Sequence, residues 1–238
     1  MRRIEPVSAD QMVLSFLRAE IDSPTWGPAY ANVIKLLGLD RTYLIDNATY
    51  GDKCANDRAL VLGVVRGYGR NEKLFAGFPA AMTWRRVLLD PPEFGALRYI
   101  NSGNWRRLTR GTLSVIDGAQ NVASEPGLAK RVDDVREKIS RGTTIQDLIL
   151  VDDLDGKWII LEGNTRATAF MVAKEVSISA LLGNSPRISE WVSRECPQDP
   201  AAVAAEFAHA QVIDASPLYE RHERPGKGIL TNIQARNP

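Results

Sequence analysis

Histidine, cysteine and net charge are all scarce in this sequence. The 238 residues include two His and two Cys, and 30 basic residues stand against 29 acidic ones, for a formal charge of +1. Cys54 and Cys196 fit neither a disulfide framework nor a metal-ligand spacing, so we expect a cytoplasmic protein with no metal site of its own. The balanced charge argues against a dedicated nucleic-acid binder, but it leaves room for a local basic patch.

Long apolar runs are also missing. No stretch reaches the ~18 to 20 apolar residues needed to span a bilayer, so we expect no membrane partner. The N-terminal segment is amphipathic and is interrupted by Glu5, Pro6 and Asp10, a pattern unlike that of a signal peptide. The 44% hydrophobic content nevertheless suffices for a packed core.

The first third of the chain predicts helices. Capping and periodicity indicate helices over 8–21, 26–37 and 55–65, and we assign residues 1–80 to a helical N-terminal extension. The third helix is followed by Arg66-Gly67-Tyr68-Gly69-Arg70. This run resembles a phosphate-binding or single-strand nucleic-acid loop, but glycine directly after a helix favours a C-cap with solvated arginines.

Residues 81–195 predict an α/β core. Short apolar runs indicate strands, and an amphipathic pattern indicates a helix over 128–140 after a loop over 119–127. The predicted strands cover 82–89, 148–151, 157–161 and 177–182. The aspartates of 152–156 lack the calcium-loop pattern and predict a solvated hairpin turn. Residues 196–238 predict a helix over 201–210 and a flexible tail.

Basic and aromatic side chains are concentrated in residues 101–111. This segment contains Trp105, Arg106, Arg107 and Arg110. One interpretation makes it a contact surface for the phosphates of a nucleotide or of DNA, with Trp105 offering a stacking face. The other places Trp105 in the core and the arginines in solvent. The residue types favour neither interpretation.

Residues 159–170 combine a strand, a turn and a helix start. After the acidic Glu162, Gly163 permits a backbone angle that other residues resist, and Asn164 or Thr165 can cap the helix. The free N–H groups of the first helical turn and the guanidinium of Arg166 predict a seat for a phosphate or carboxylate. The alternative is an ordinary strand-to-helix connection in which Glu162 and Arg166 form an ion pair.

The sequence ILEGNTRATA, residues 160–169, resembles the signature turn and helix of the ParB/sulfiredoxin-like superfamily. Glu162 stands where the family has an acidic residue or glycine, and Gly163 stands at the family's glycine. Thr165 takes the position of its His or Arg, and Arg166 takes that of its arginine. In that family, the turn and the helix start hold nucleotide phosphates. Asn164 stands where sulfiredoxins carry their catalytic cysteine, which excludes sulfinic acid reductase chemistry.

The resemblance implies an α/β (α+β) fold with a ParB/sulfiredoxin-like mixed-sheet core. It also implies phosphate binding by residues 163–166 and a ligand such as ATP or CTP with Mg²⁺. Glu162 would orient Arg166 or a magnesium ion, or would act as a general base. Members of the superfamily include nucleotide-hydrolysing proteins, small-molecule kinases and nucleases, so the reaction stays open.

Two further hypotheses follow from the same residues. The chain could be a non-catalytic DNA-interacting module of a bacterial plasmid or phage system that uses Arg106, Arg107 and Arg110. It could also keep the fold and lack nucleotide binding, because Thr165 replaces a cationic residue of the family pattern.

Overall fold

The structure, a computed structural model, describes residues 1–46, 51–174, 177–192 and 199–208. The strands are β1 (Arg2–Val7), β2 (Thr83–Leu89), β3 (Leu97–Tyr99), β4 (Leu148–Asp152), β5 (Trp158–Glu162) and β6 (Ile178–Asn184). The helices are α1 (Ala9–Glu20), α2 (Gly27–Leu36), α3 (Arg41–Ile45), α4 (Asp52–Arg66), α5 (Gly103–Leu108), α6 (Val115–Asn121), α7 (Pro126–Ser140), α8 (Asn164–Ala173), α9 (Ser189–Val192) and α10 (Pro200–Ala208). No helix among these residues is long and apolar enough to cross a bilayer.

Contacts divide the chain into two units. The described residues of 1–15 and 79–197 form the sheet unit, and those of 16–78 and 198–238 form the helical unit. The division therefore falls within α1 and again near the predicted boundary at residue 80. Unlike the predicted arrangement, it groups residues 1–15 with the sheet and α10 with the N-terminal helices.

The sheet is mixed and has six strands in the order β1-β2-β6-β4-β5-β3. Strands β4 and β6 are parallel, as are β3 and β5, and the other neighbours are antiparallel. The predicted α/β class is thereby confirmed. Strand β1 was not predicted, because its exposed, charged residues give no alternation of apolar and polar side chains.

Alternating residues of the central strands build the core of the sheet unit. Leu148 and Leu150 of β4 and Leu182 of β6 are buried together with Phe170 of α8. The period of two places these strand residues on one face of the sheet. A second cluster joins α5, α7 and α8 through Leu108, Leu128, Val132 and Ala169.

The principal helices and the hairpin agree with the sequence prediction. At the start of α1, the Ser8 N–H donates to Gln11 Oε1 at 2.6 Å, and the Gln11 N–H donates to Ser8 Oγ at 3.1 Å. In the β4–β5 turn, Asp153 Oδ1 accepts from the N–H groups of Asp155 and Lys157 at 3.0 and 2.9 Å. Within the described part of the chain, no group of three or more His, Cys, Asp or Glu is arranged to hold a metal ion.

The predicted loop over 119–127 is wrong. These residues contain the end of α6, a 3₁₀ turn over Val122–Ser124 and the start of α7. Helix α6 is seven residues long, which is too short to show a helical period, and it forms where Val115 and Gly118 are buried. The predicted helix over 201–210 is present as α10 within the described residues, whereas the predicted tail lies outside them.

Candidate functional site

The predicted phosphate seat lies where β5 runs into α8. Strand β5 ends at Glu162, and Gly163 forms the N-cap of α8 with a left-handed φ of +103°. A Cβ at this glycine would lie 2.6 Å from Leu148 Cδ2 and 3.0 Å from Arg166 Nη2. Both the backbone angle and the close packing therefore require glycine.

The N-cap residue of α8, Gly163, supplies no side-chain hydrogen bond to the helix start. Asn164 and Thr165, the predicted caps, lie inside the helix because the N-cap position belongs to Gly163. This prediction is wrong for a simple reason: the N-cap side chain is the one placed to reach the first free N–H groups, and glycine has none. The first turn of α8 consequently presents its N–H groups together with the positive end of the helix dipole.

Arg166 is held beside this helix start by two acceptors. Its Nη2 donates to Glu162 Oε1 at 3.0 Å, and its Nη1 donates to the main-chain oxygen of Gln146 at 3.2 Å. The Arg166 and Glu162 side chains are 13% and 19% exposed, so the pair is largely shielded from water yet reachable from it. The ion pair is thus present, and the remaining N–H donors of the guanidinium can still serve an anion.

A buried hydroxyl chain ends at the first turn of α8. Thr168 Oγ1 donates to the main-chain oxygen of Asn164 at 2.8 Å, and the Tyr99 hydroxyl lies 2.7 Å from the same Oγ1. Thr168 has one hydroxyl proton, so Tyr99 must be the donor in the second bond. Burial raises the pKa of Tyr99 to about 12, although the bond to Thr168 opposes this shift. The phenol therefore remains a donor at neutral pH.

The basic segment forms α5 and the turn after it. The indole of Trp105 stacks on the Tyr99 ring, with centroids 4.2 Å apart and planes inclined by 11°. Arg106, Arg107 and Arg110 are exposed. Arg106 Nη2 donates to Asn101 Oδ1 at 2.7 Å, and Arg107 Nη2 lies 3.2 Å from a Glu125 oxygen. One face of Trp105 is therefore already used within the protein, while the arginines face solvent.

The two predicted segments follow from neighbouring strands of the sheet. Strands β3 and β5 are parallel neighbours in which Tyr99 lies opposite Ile160. Parallel strands have their carboxyl ends at the same end of the sheet. Helices α5 and α8, which follow β3 and β5, therefore both begin at that end. Sequence reasoning missed Tyr99 and Thr168, since their contact depends on this pairing. It also missed Gln146, whose main-chain oxygen meets Arg166 just before β4, the antiparallel neighbour of β5.

The glycine–arginine turn after α4 has a different environment. Gly67 ends α4 with a φ of +89°, which confirms the C-cap interpretation. The prediction of solvated arginines is wrong, because Arg66 and Arg70 are only 3% and 7% exposed. Arg66 Nε lies 3.4 Å from Glu20 Oε2, and its guanidinium lies 3.7 Å from the centroid of the Trp26 ring. Glu20 is the last residue of α1 and Trp26 is the N-cap of α2, so neither partner can be read from the sequence around Arg66.

Comparison with protein-family models, with curated proteins and with solved structures gives no significant match. A function for this chain is therefore argued from the geometry of the α8 start and from the residues of its turn.

Proposed function

We propose that this chain binds phosphate at the start of α8 and is a nucleotide-binding protein of the ParB/sulfiredoxin-like kind. The observation that carries the proposal is the uncapped start of α8 beside a guanidinium. Gly163 leaves the first N–H groups without a side-chain cap, and Arg166 is fixed next to them. Such a helix start favours an anion, because several N–H donors and the helix dipole act on it together.

The surroundings of Arg166 would allow a bound phosphate to replace the Glu162 carboxylate at the guanidinium. The main-chain oxygen of Gln146 holds Nη1 and so keeps the guanidinium oriented, while Glu162 holds Nη2. A bound phosphate would compete with Glu162 for the guanidinium, and partial burial would strengthen its attraction to the cation. Arg106 and Arg110 are exposed in the segment that follows β3, the parallel neighbour of β5, and would suit a ligand with several phosphates.

Glu162 is the acidic side chain of this proposed site. Mg²⁺ in nucleotide sites is held by one or two carboxylates together with phosphate oxygens, so Glu162 fits Mg²⁺ bound with ATP or CTP. When bound, the ion would neutralise phosphate charge. Without that role, Glu162 would orient Arg166, or it would accept the proton of a hydroxyl or water that attacks the terminal phosphate. The proposed reactions are accordingly nucleotide hydrolysis and phosphoryl transfer.

Arg166→Ala tests the proposal. We expect calorimetry and thermal shift to show binding of inorganic phosphate, ATP or CTP by the wild type, and at least ~10-fold weaker binding by the variant, as for a charged hydrogen bond. Arg141→Ala is the matched control, because Arg141 also pairs with a glutamate four residues away, Glu137, at 2.5 Å in the sheet unit. Each ligand is measured with and without Mg²⁺.

Three outcomes would contradict the proposal. The wild type would bind none of these anions, or the two arginine variants would bind them equally well, or single-stranded DNA would bind in a salt-dependent way that Arg166→Ala leaves unchanged. The last outcome would favour the DNA-interacting alternative instead.

A further inference from the structure

We propose that Tyr99 is a positioning residue for the anion site at the start of α8, a role that rests on the proposed phosphate binding. Tyr99 lies on β3 and does not belong to the turn itself. It acts through the hydroxyl of Thr168, which in turn bonds the main-chain oxygen of Asn164. Both Tyr99 and Thr168 are fully buried, so water cannot replace either bond.

The peptide group between Asn164 and Thr165 gives this chain of bonds its effect. The C=O of Asn164 and the N–H of Thr165 belong to one planar unit and point in opposite directions. A hydroxyl that fixes the carbonyl therefore also fixes the direction of the N–H group. That N–H is among the first of α8, where an anion would bind.

The fold holds the Tyr99 ring in place from two sides. Trp105 stacks on the ring at 4.2 Å. Gly118 of α6 makes room for the phenol, since a Cβ there would lie 2.3 Å from the hydroxyl oxygen. The raised pKa keeps the phenol protonated, and so the donor persists through the neutral range. The fixed ring and its protonated hydroxyl together hold the hydrogen bond from Tyr99 to Thr168 Oγ1 in one direction.

Tyr99→Phe removes the donor and keeps the aromatic stack. We expect its dissociation constant for inorganic phosphate, measured by calorimetry, to rise about three- to tenfold, as for one neutral hydrogen bond. Thr168→Val should have a similar effect. The double variant should bind no more weakly than the weaker-binding single variant, because both changes break the same chain. Thr168→Ser keeps the hydroxyl and should bind like the wild type.

Ser177→Ala is the control for general loosening of the sheet unit. It removes a hydrogen bond of the same 2.7 Å length, from Ser177 Oγ to Asp90 Oδ1, that does not involve α8. Melting temperatures of all variants are recorded beside the affinities. A lower melting temperature with unchanged affinity in Tyr99→Phe and Thr168→Val would overturn the inference, as would additive effects in the double variant.

The wild type and Arg166→Ala separate this inference from the proposed function. If the wild type binds no phosphate, the proposed function fails and the role of Tyr99 fails with it. If Arg166→Ala weakens binding while Tyr99→Phe and Thr168→Val do not, only the role of Tyr99 is overturned.

Discussion

The turn after α4 and the turn before α8 both combine a left-handed glycine with an arginine, yet they place the arginine in opposite surroundings. Gly67 follows α4 and Gly163 precedes α8. Carbonyl groups face the turn at the end of α4, and Arg66 is buried there against Glu20 and Trp26. N–H groups face the turn at the start of α8, and Arg166 lies beside them with part of its surface open.

The two turns differ in helix direction although their residue types are alike. Arginine at the negative end of a helix dipole is stabilised where it stands, whereas a helix start attracts anions from outside. Substitutions in the two turns test whether one turn serves stability and the other serves binding.

The largest effect is expected from Gly67→Ala. A Cβ at this position would lie 2.0 Å from the main-chain oxygen of Glu72, a backbone atom that cannot easily move. Together with the cost of a left-handed alanine, the clash should lower the free energy of unfolding by about 4 kcal/mol. Urea unfolding followed by circular dichroism measures the loss.

Gly38→Ala separates the two causes of that loss. Gly38 is also left-handed, at a φ of +63°, but a Cβ there meets nothing within 4 Å. We expect a loss of about 1 kcal/mol, for the backbone angle alone. Equal losses in the two variants would show that the Gly67 turn is not packed as described.

Arg66→Ala should be the next most damaging change. It leaves the Glu20 carboxylate buried with the Tyr30 hydroxyl, which donates to it at 2.9 Å, but without this cation. A loss of about 3 kcal/mol in the free energy of unfolding is expected, as for a broken buried ion pair.

Phosphate binding completes the test of Arg66. Calorimetry should give the same phosphate affinity for folded Arg66→Ala as for the wild type, because this arginine belongs to the helical unit. If the folded variant no longer binds phosphate, the turn after α4 also affects binding, and the proposed difference between the two turns is wrong.

The smallest effect, a change in phosphate affinity, is expected from Glu162→Gln. The change keeps an acceptor for Arg166 and removes the negative charge that competes with a ligand. Phosphate affinity without Mg²⁺ should therefore rise about fivefold, the size of a weak ion pair. If Glu162 is also a general base, nucleotide hydrolysis should fall by about 100-fold. The first effect is measured by calorimetry and the second by phosphate release.

Glu137→Gln provides the charge control for this change. Glu137 also pairs with an arginine four residues away in the same unit, and its replacement alters the net charge equally. We expect it to leave phosphate affinity unchanged. A rise in both variants would mean that overall charge, rather than the α8 turn, controls binding.

Much of the fold could be predicted because its signals are local. The apolar runs of β4 and β5, the turn between them and the long amphipathic α7 were all readable from neighbouring residues. Strand β1 and helix α6 could not be predicted, since one is an exposed edge strand and the other is a short helix without a clear period. Their structures depend on pairing with β2 and on packing beside Tyr99.

Some features of the candidate site could likewise be predicted from the sequence, and others could not. The order of strand, glycine, helix start and arginine over residues 159–166 follows from the sequence alone, because each step depends on residues a few positions apart. The sequence did not show that Gly163 itself is the N-cap or that its backbone angle is left-handed.

Tertiary structure alone decided which arginine is buried and what surrounds the start of α8. The partners of Arg66 lie at the end of α1 and just before α2, and Tyr99 meets Thr168 across 69 positions of the chain. Such contacts depend on how strands pair and helices pack, and no local pattern encodes that geometry. The sequence by itself determined the turn and its charges, whereas the parallel pairing of β3 and β5 placed α5 and Tyr99 beside it.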